Sequence, residues 1–191
     1  MLYRGSLSAF PTYHQLDSMD CGATCLRIIC KYYGKSYGAR FLCDRCHTTR
    51  EGVSMLAISD LAEQLGFRTA GAKITFEQLS KNAPLPCIVH WNQQHFVVVY
   101  KIRKNAVYVS DPAMGLLEYS ITDFLKCWQL TTNREGEKCG IVLLLEPLRV
   151  FTKKRILNKR KACIFAIYFP TSNPTNAILY RYLLAYFWAV G

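Results

Sequence analysis

Acidic side chains are scarce in this chain: 13 Asp and Glu stand against 24 Lys and Arg over 191 residues, a formal net charge of +11. The shortage is uneven. Residues 1–150 hold 17 basic and 13 acidic side chains, a balance of +4, whereas residues 151–191 hold 7 basic and no acidic ones, a balance of +7. A mildly basic body with a strongly basic tail points to a local electrostatic partner for the tail. It points away from nucleic acid, and no recognised binding module or aromatic-plus-basic stripe supports that partner. Internal repeats and low-complexity blocks are also missing. So is a GxxxxGK[ST] phosphate loop, which excludes ATP binding of that kind. The opening stretch MLYRGSLSAFPTYHQ lacks the apolar central run of a secretory signal.

Cysteine, by contrast, is plentiful. Nine are present, at 21, 25, 30, 43, 46, 87, 127, 139 and 163. An odd number with no signal segment reads as reduced thiols in a cytoplasmic compartment, several of them filling core space. The 51% hydrophobic content supplies a core for one domain of ordinary size plus an appendage. The domain is expected over 1–149. Residues 150–191 read as a basic run, KKRILNKRK, then a proline-punctuated linker, FPTSNPTN, then the apolar AILYRYLLAYFWAVG. That last run holds Arg181 and falls short of the roughly 20 residues of a membrane span. An interfacial helix or the opening of a span fits it, and a helix docked on the domain's own core is the alternative. The basic run reads as a patch for anionic lipid at the inner membrane face, with a solvated linker as the alternative.

Within the domain, CGATCLRIICKYY predicts a helix opening at or just after Cys21 and ended by Gly34. SMLAISDLAEQL predicts a second helix over 54–65, stopped by Gly66. A short third helix is expected over 76–80, capped by Thr75 and barred from continuing by Pro84. After residue 85 come CIVHW, HFVVVYKI, AVYVSD and GIVLLLEP, short β-branched and aromatic runs between turn signals, which predict antiparallel strands. TDFLKCW between them predicts a helical turn, and TNREGEKCG a polar loop. Helices first and strands after argue for an α+β domain, N-terminal helices packed on a C-terminal antiparallel sheet, closing near Pro147.

The residues with the most chemistry lie at the junction of these halves. In QLDSMDCGATC a thiol opens a predicted helix, where the dipole and unpaired N–H groups favour thiolate over thiol. Gly22 beside it keeps the entrance open for a substrate backbone. Gln15 can donate its amide, next to the Cys21 N–H, to a tetrahedral oxyanion. His95 opens one strand and Asp111 ends the next, and a hairpin through Lys104 and Asn105 brings both to one end of the ladder. A carboxylate beside an imidazole there fixes its tautomer. Each residue also has a plainer reading: a structural Cys before a helix, a half-buried strand His, a turn-forming Asp before Pro.

Taken together, these residues resemble the cysteine peptidase domain that processes bacteriocin precursors with double-glycine leaders, found in peptidase-containing ABC transporters and papain-like in fold. The resemblance is carried by Gln15 with Asp20-Cys21-Gly22-Ala23, by Arg50-Glu51-Gly52-Val53-Ser54, and by Ala62-Glu63-Gln64-Leu65-Gly66-Phe67. It continues through His90-Trp91, His95-Phe96-Val97-Val98, and Asp111-Pro112 with Gly115, covering about residues 10 to 147. It implies Cys21 as nucleophile, His95 as general base, Asp111 as its orienter and Gln15 as oxyanion donor. It implies cleavage after a Gly-Gly or Gly-Ala pair that ends a leader peptide, coupled to export. The partners implied are that leader and the membrane and nucleotide-binding domains of a transporter, which this chain lacks. No cofactor is implied.

Small residues at the cleavage point imply a narrow slot, with Trp91 and Tyr100 as wall candidates, and an amphipathic leader implies an apolar recognition groove. Cys43-x-x-Cys46-His47 has haem-attachment and half-zinc-site spacing, but no second ligand pair follows, so no metal is expected. Cys25, four residues after Cys21, is expected to be buried on the same helix. His14 lies too close to the nucleophile to be the base, and His90 lies on another strand, where it lines the cleft or packs within it. Two rival functions remain: a silent module that binds the leader without cutting it, and acyl transfer or deamidation by the same three residues.

Overall fold

The computed structural model describes residues 10–46, 52–129, 131–132 and 136–148. The expectations for His47, Arg50, Glu51 and residues 150–191 lie outside the described residues.

Helix α1 spans Cys21–Tyr32 and follows a 3-10 turn, Ser18–Asp20, in which the Asp17 side chain accepts from the Ser18 N–H. The helix buries Cys21 to Leu26 and Ile28 to Cys30, so almost its whole circumference is inside. It stops because Gly34, at φ +90°, takes the left-handed position that ends helices. Helix α2 is Ala39–Arg45. Helix α3, Met55–Gln64, starts where the Ser54 side chain accepts from the Ala57 N–H. Helix α4, Phe76–Lys81, has a complete capping box between Thr75 and Gln78, and α5 covers Ile121–Trp128.

The strands are β1 (Phe67–Ile74), β2 (Cys87–Trp91), β3 (His95–Ile102), β4 (Ala106–Asp111), β5 (Gly115–Ser120), β6 (Thr131–Thr132) and β7 (Lys138–Pro147). They form an antiparallel sheet in the order β1-β7-β2-β3-β4-β5, with β6 beside β7. The hairpin from β3 to β4 turns through Lys104 and Asn105, closed by the Arg103 N–H on the Ala106 carbonyl at 2.8 Å. Its ladder pairs Val98 with Ser110 and Ile102 with Val107, with a bulge at Tyr100.

Both sheet faces are covered. On one, α1, α2 and α3 pack with Ile88, Phe96, Val98, Leu143 and Leu145. On the other, Leu79 of α4 and Phe124 and Trp128 of α5 pack with Val89, Trp91, Val97, Val99, Val107 and Val109. That is why HFVVVYKI and GIVLLLEP read as near-continuous apolar runs: side chains alternate between two interiors. The α+β class and the papain-like arrangement of helices on an antiparallel sheet hold. The sequence reading did not anticipate α2, β1 or β5, nor that helices flank the sheet on both sides.

Candidate active site

Cys21 is the first residue of α1, so its N–H is among those left without a partner inside the helix. α1 lies over β3, and the Cys25 thiol donates to the Phe96 carbonyl at 3.1 Å. This brings the helix start to the end of the sheet where β3 begins. His95 is the first residue of β3 and Asp111 the last of β4. Continued past Val98–Ser110, the register puts Asp111 opposite Val97, one alternate position from His95 and on the same face.

His95 Nε2 lies 2.9 Å from Asp111 Oδ1, and the Cys21 side chain acts on the same imidazole, as a hydrogen-bonding group and through its charge. With Nε2 engaged by Asp111, Nδ1 is the nitrogen left for Cys21. The imidazole of His95 is thus engaged by the carboxylate of Asp111 and acted on by the thiol of Cys21.

Electrostatics reinforce this engagement. Burial alone would lower the pKa of His95, but the hydrogen bond to Asp111, the hydrogen bond to Cys21 and the charges of both raise it to about 9. Asp111 is 4% exposed, and burial works against its charge. Hydrogen bonds from His95 and from the Ala113 N–H, at 2.7 Å to Oδ1, nevertheless hold the carboxyl below its ordinary value. The imidazolium beside a carboxylate is thus the favoured state of the pair near neutrality.

An extended strap before the helix completes the surroundings. Ser110 Oγ donates to the Pro11 carbonyl at 3.3 Å, and the Gln15 N–H donates to the Pro112 carbonyl at 3.0 Å, so the strap pins the chain on both sides of Asp111. Gln15 Oε1 is buried and meets no hydrogen-bond donor among the described residues. Leu16, next to Gln15, and Met114, in the turn after Asp111, are 75% and 69% exposed, apolar side chains standing free at this end of the molecule. The sequence carried no periodic signal for the strap, because an extended tether has none.

The other expected site residues fall elsewhere. Gly22 is buried: a Cβ there would overlap Val53 and the Ile58 side chain of α3. It lets α1 and α3 close together and does not open an entrance. Trp91 pairs with His95 across the β2–β3 ladder, but the residue is 6% exposed and its ring packs 5.3 Å from both Tyr119 and Phe124. It supports the sheet end that carries His95 and does not wall an open slot. Tyr100 stacks on Phe10 at 4.2 Å, and Phe10 meets Tyr32 at the far end of α1. Eleven residues of helix, roughly 16 Å, separate that end from Cys21, so Tyr100 is no wall of the site.

His90 packs on Phe96, and burial lowers its pKa; it lines a cavity of about 20 Å³ with Gln93, Trp128, Thr131 and Ile141, too small for a peptide. Among the described residues no group of three or more His, Cys, Asp or Glu is placed to hold a metal ion. Cys43 and Cys46 sit at the end of α2, both raised by burial, to about 11 and about 12.

Known proteins share this fold and part of this sequence. The colicin V secretion/processing ATP-binding protein of Escherichia coli is 33% identical over 106 residues, 56% of this chain and 15% of that protein. The lactococcin-G-processing and transport ATP-binding protein of Lactococcus lactis subsp. lactis is 35% identical over 120 residues, 60% of this chain. The chain thus spans 15% and 17% of the lengths of these relatives. Among solved structures, a double glycine motif protease from an AMS/PCAT transporter, in complex with the leader peptide, matches with a TM-score of 0.64 at 28% identity. It covers 72% of this chain and 91% of that one. The peptidase domain of Streptococcus ComA, a bi-functional ABC transporter, matches at 0.61 and 26% identity, over 73% of this chain and 99% of that one. The family model for these peptidases matches residues 9–134, the stretch that holds Cys21, His95 and Asp111. On that match, this chain belongs to the Peptidase C39 family.

Proposed function

We propose that this domain is a cysteine endopeptidase that removes double-glycine leaders from exported precursor peptides, with Cys21, His95 and Asp111 as its catalytic residues. The observation that carries the proposal is the 2.9 Å contact of His95 with Asp111, at an imidazole on which Cys21 also acts, inside a C39 fold. The Cys21 thiolate attacks the carbonyl of the second small residue, and the oxyanion forms beside the Cys21 N–H at the helix start. Gln15 is the second donor: its amide oxygen has no partner in the resting site, and a half-turn about the last side-chain bond presents Nε2 instead. His95, already an imidazolium, gives its proton to the leaving amine. It then takes one from the water that releases the acyl-enzyme, while Asp111 holds the ring in place.

The burial of Cys21, 5% exposed, explains why small residues precede the cut. A nucleophilic residue so nearly covered meets a backbone that carries no side chain more readily than one that does. The leader itself extends away from the cut, and Tyr32 and Phe41, exposed on α1 and α2, offer apolar surface for the stripe of an amphipathic leader helix. By likeness to its relatives, the domain works beside the membrane and nucleotide-binding parts of an ABC transporter at the inner face of a bacterial membrane, with residues 150–191 as the connection. A module that binds leaders without cutting them has no use for this arrangement of Cys21.

The test is incubation with a synthetic precursor ending its leader in Gly-Gly, read by mass spectrometry, with Cys21→Ala as control. Two separate fragments are expected, the leader ending in a Gly-Gly carboxylate and the released peptide, both absent with the variant. Binding without fragments would favour the silent module, and a ligated or deamidated product would favour the other papain-like chemistry.

A further inference from the structure

Resting on the reading of Cys21 and His95 as the reacting pair, we propose that Cys25 is a positioning residue whose thiol sets the separation between them. Cys25 lies one helical turn beyond Cys21, about 6 Å along the axis and on nearly the same face of α1. Phe96 follows His95 directly on β3. The Cys25 Sγ hydrogen bond to the Phe96 carbonyl, 3.1 Å, is therefore a clasp one residue from the base and one turn from the nucleophile.

The sheet leaves room for such a clasp. Continued by two steps, the β3–β4 register brings Phe96 opposite Pro112, which has no N–H to offer. Both ends of the bond are interior: Cys25 is 0% exposed and Phe96 4%. Burial, followed by the charges of Cys21 and Asp111, pushes the Cys25 thiol well above its ordinary range, so it stays protonated and remains a donor. A helix carrying the nucleophile and a strand carrying its base have no covalent link between them here. A sideways slip of about 1 Å between reacting groups is enough to cost on the order of a hundredfold in rate.

The experiment compares the full chain with Cys25→Ala, Cys25→Val and Cys25→Ser. Ala removes the donor, Val fills the space without one, and Ser restores a donor. Folding is checked by near-ultraviolet circular dichroism, and two properties are read: kcat and KM on a Gly-Gly precursor, and the pH profile of Cys21 alkylation. We expect Ala and Val to lower kcat about tenfold with KM within twofold, and to change the pH profile of Cys21 alkylation because His95 is held less closely to it. Ser should stay within twofold of wild type with its profile in place. A folded Ala or Val variant with unchanged kcat and profile overturns the assignment. So does a Ser variant that loses as much as Ala. Failure of the wild type to cut any precursor would instead sink the peptidase reading, and the alkylation profiles would still decide the role of Cys25.

Discussion

At position 22 the side chain is a hydrogen because α1 and α3 leave space for nothing more. Gly22→Ala must push Val53 and Ile58 aside, an overpacking of about 1–3 kcal/mol. It should lower the melting temperature by several degrees and reduce kcat as well, since the overpacked position directly follows Cys21. Thermal melts with parallel cleavage assays check both. At position 95, the raised pKa of about 9 has a definite sign. Relative to an unfolded histidine near 6.5, the charged form is favoured in the folded state. The stabilisation is complete below about 6.5 and disappears as pH climbs through about 9. Activity should therefore fall on the alkaline side near pH 9, where the imidazolium loses its proton. Asp111→Asn removes the facing carboxylate and should bring that limb down by about one unit or more; a pH–rate profile in which the limb stays near 9 would detach Asp111 from His95. Residues of this kind were legible where their chemistry is local. Cys21, His95 and Asp111 each sit at a helix start or strand end that the sequence marks. Trp91 and Tyr100 were misplaced because which face a ring occupies depends on packing from both sides of the sheet.

Among the elements, the hairpin leading into His95 is under strain. Asn92 and Gln93 both take positive φ, 47° and 59°, and the Gln94 N–H closes the turn on the Trp91 carbonyl at 3.1 Å. Two left-handed residues suit a type I′ hairpin turn, for which Asn is well fitted at the first position and Gly at the second. Gln93→Gly should stabilise the domain by about 1 kcal/mol, raising the melting temperature while leaving kcat unchanged; a drop in melting temperature would contradict this account of the turn. The contrast between α4 and α2 shows what sequence reveals about elements. Thr75 and Gln78 form a capping box that announces α4, whereas α2 has Gly38 at its start with no side-chain cap and only seven residues. β1, FRTAGAKI, was silent because Ala70, Gly71 and Ala72 have little strand preference. β7 holds it in place by pairing along its full length, from Phe67 with Pro147 to Ile74 with Gly140.

For the molecule as a whole, the catalytic proposal depends on how two halves of the chain meet. The first supplies a helix that starts on a thiol, and the second a hairpin that ends on an acid. The strap at Pro11 and Gln15 and the clasp at Cys25 lock one to the other. The order of helices and strands made the α+β class readable from sequence, but a strap held by two hydrogen bonds has no sequence period. If leader recognition uses the apolar surface of α1 and α2, precursors with their apolar stripe replaced by polar residues should show a KM raised at least tenfold at similar kcat, roughly the loss of one good apolar contact. Equal KM values would remove that surface from the account. The central claim is that Cys21, alone among nine cysteines, is made nucleophilic by His95. A short peptide chloromethyl ketone ending in Gly-Gly, added at one equivalent and mapped by mass spectrometry, tests it most directly. The account predicts a single adduct on Cys21 that is lost in His95→Ala; an adduct spread over other cysteines, or one on Cys21 that persists without His95, would contradict it.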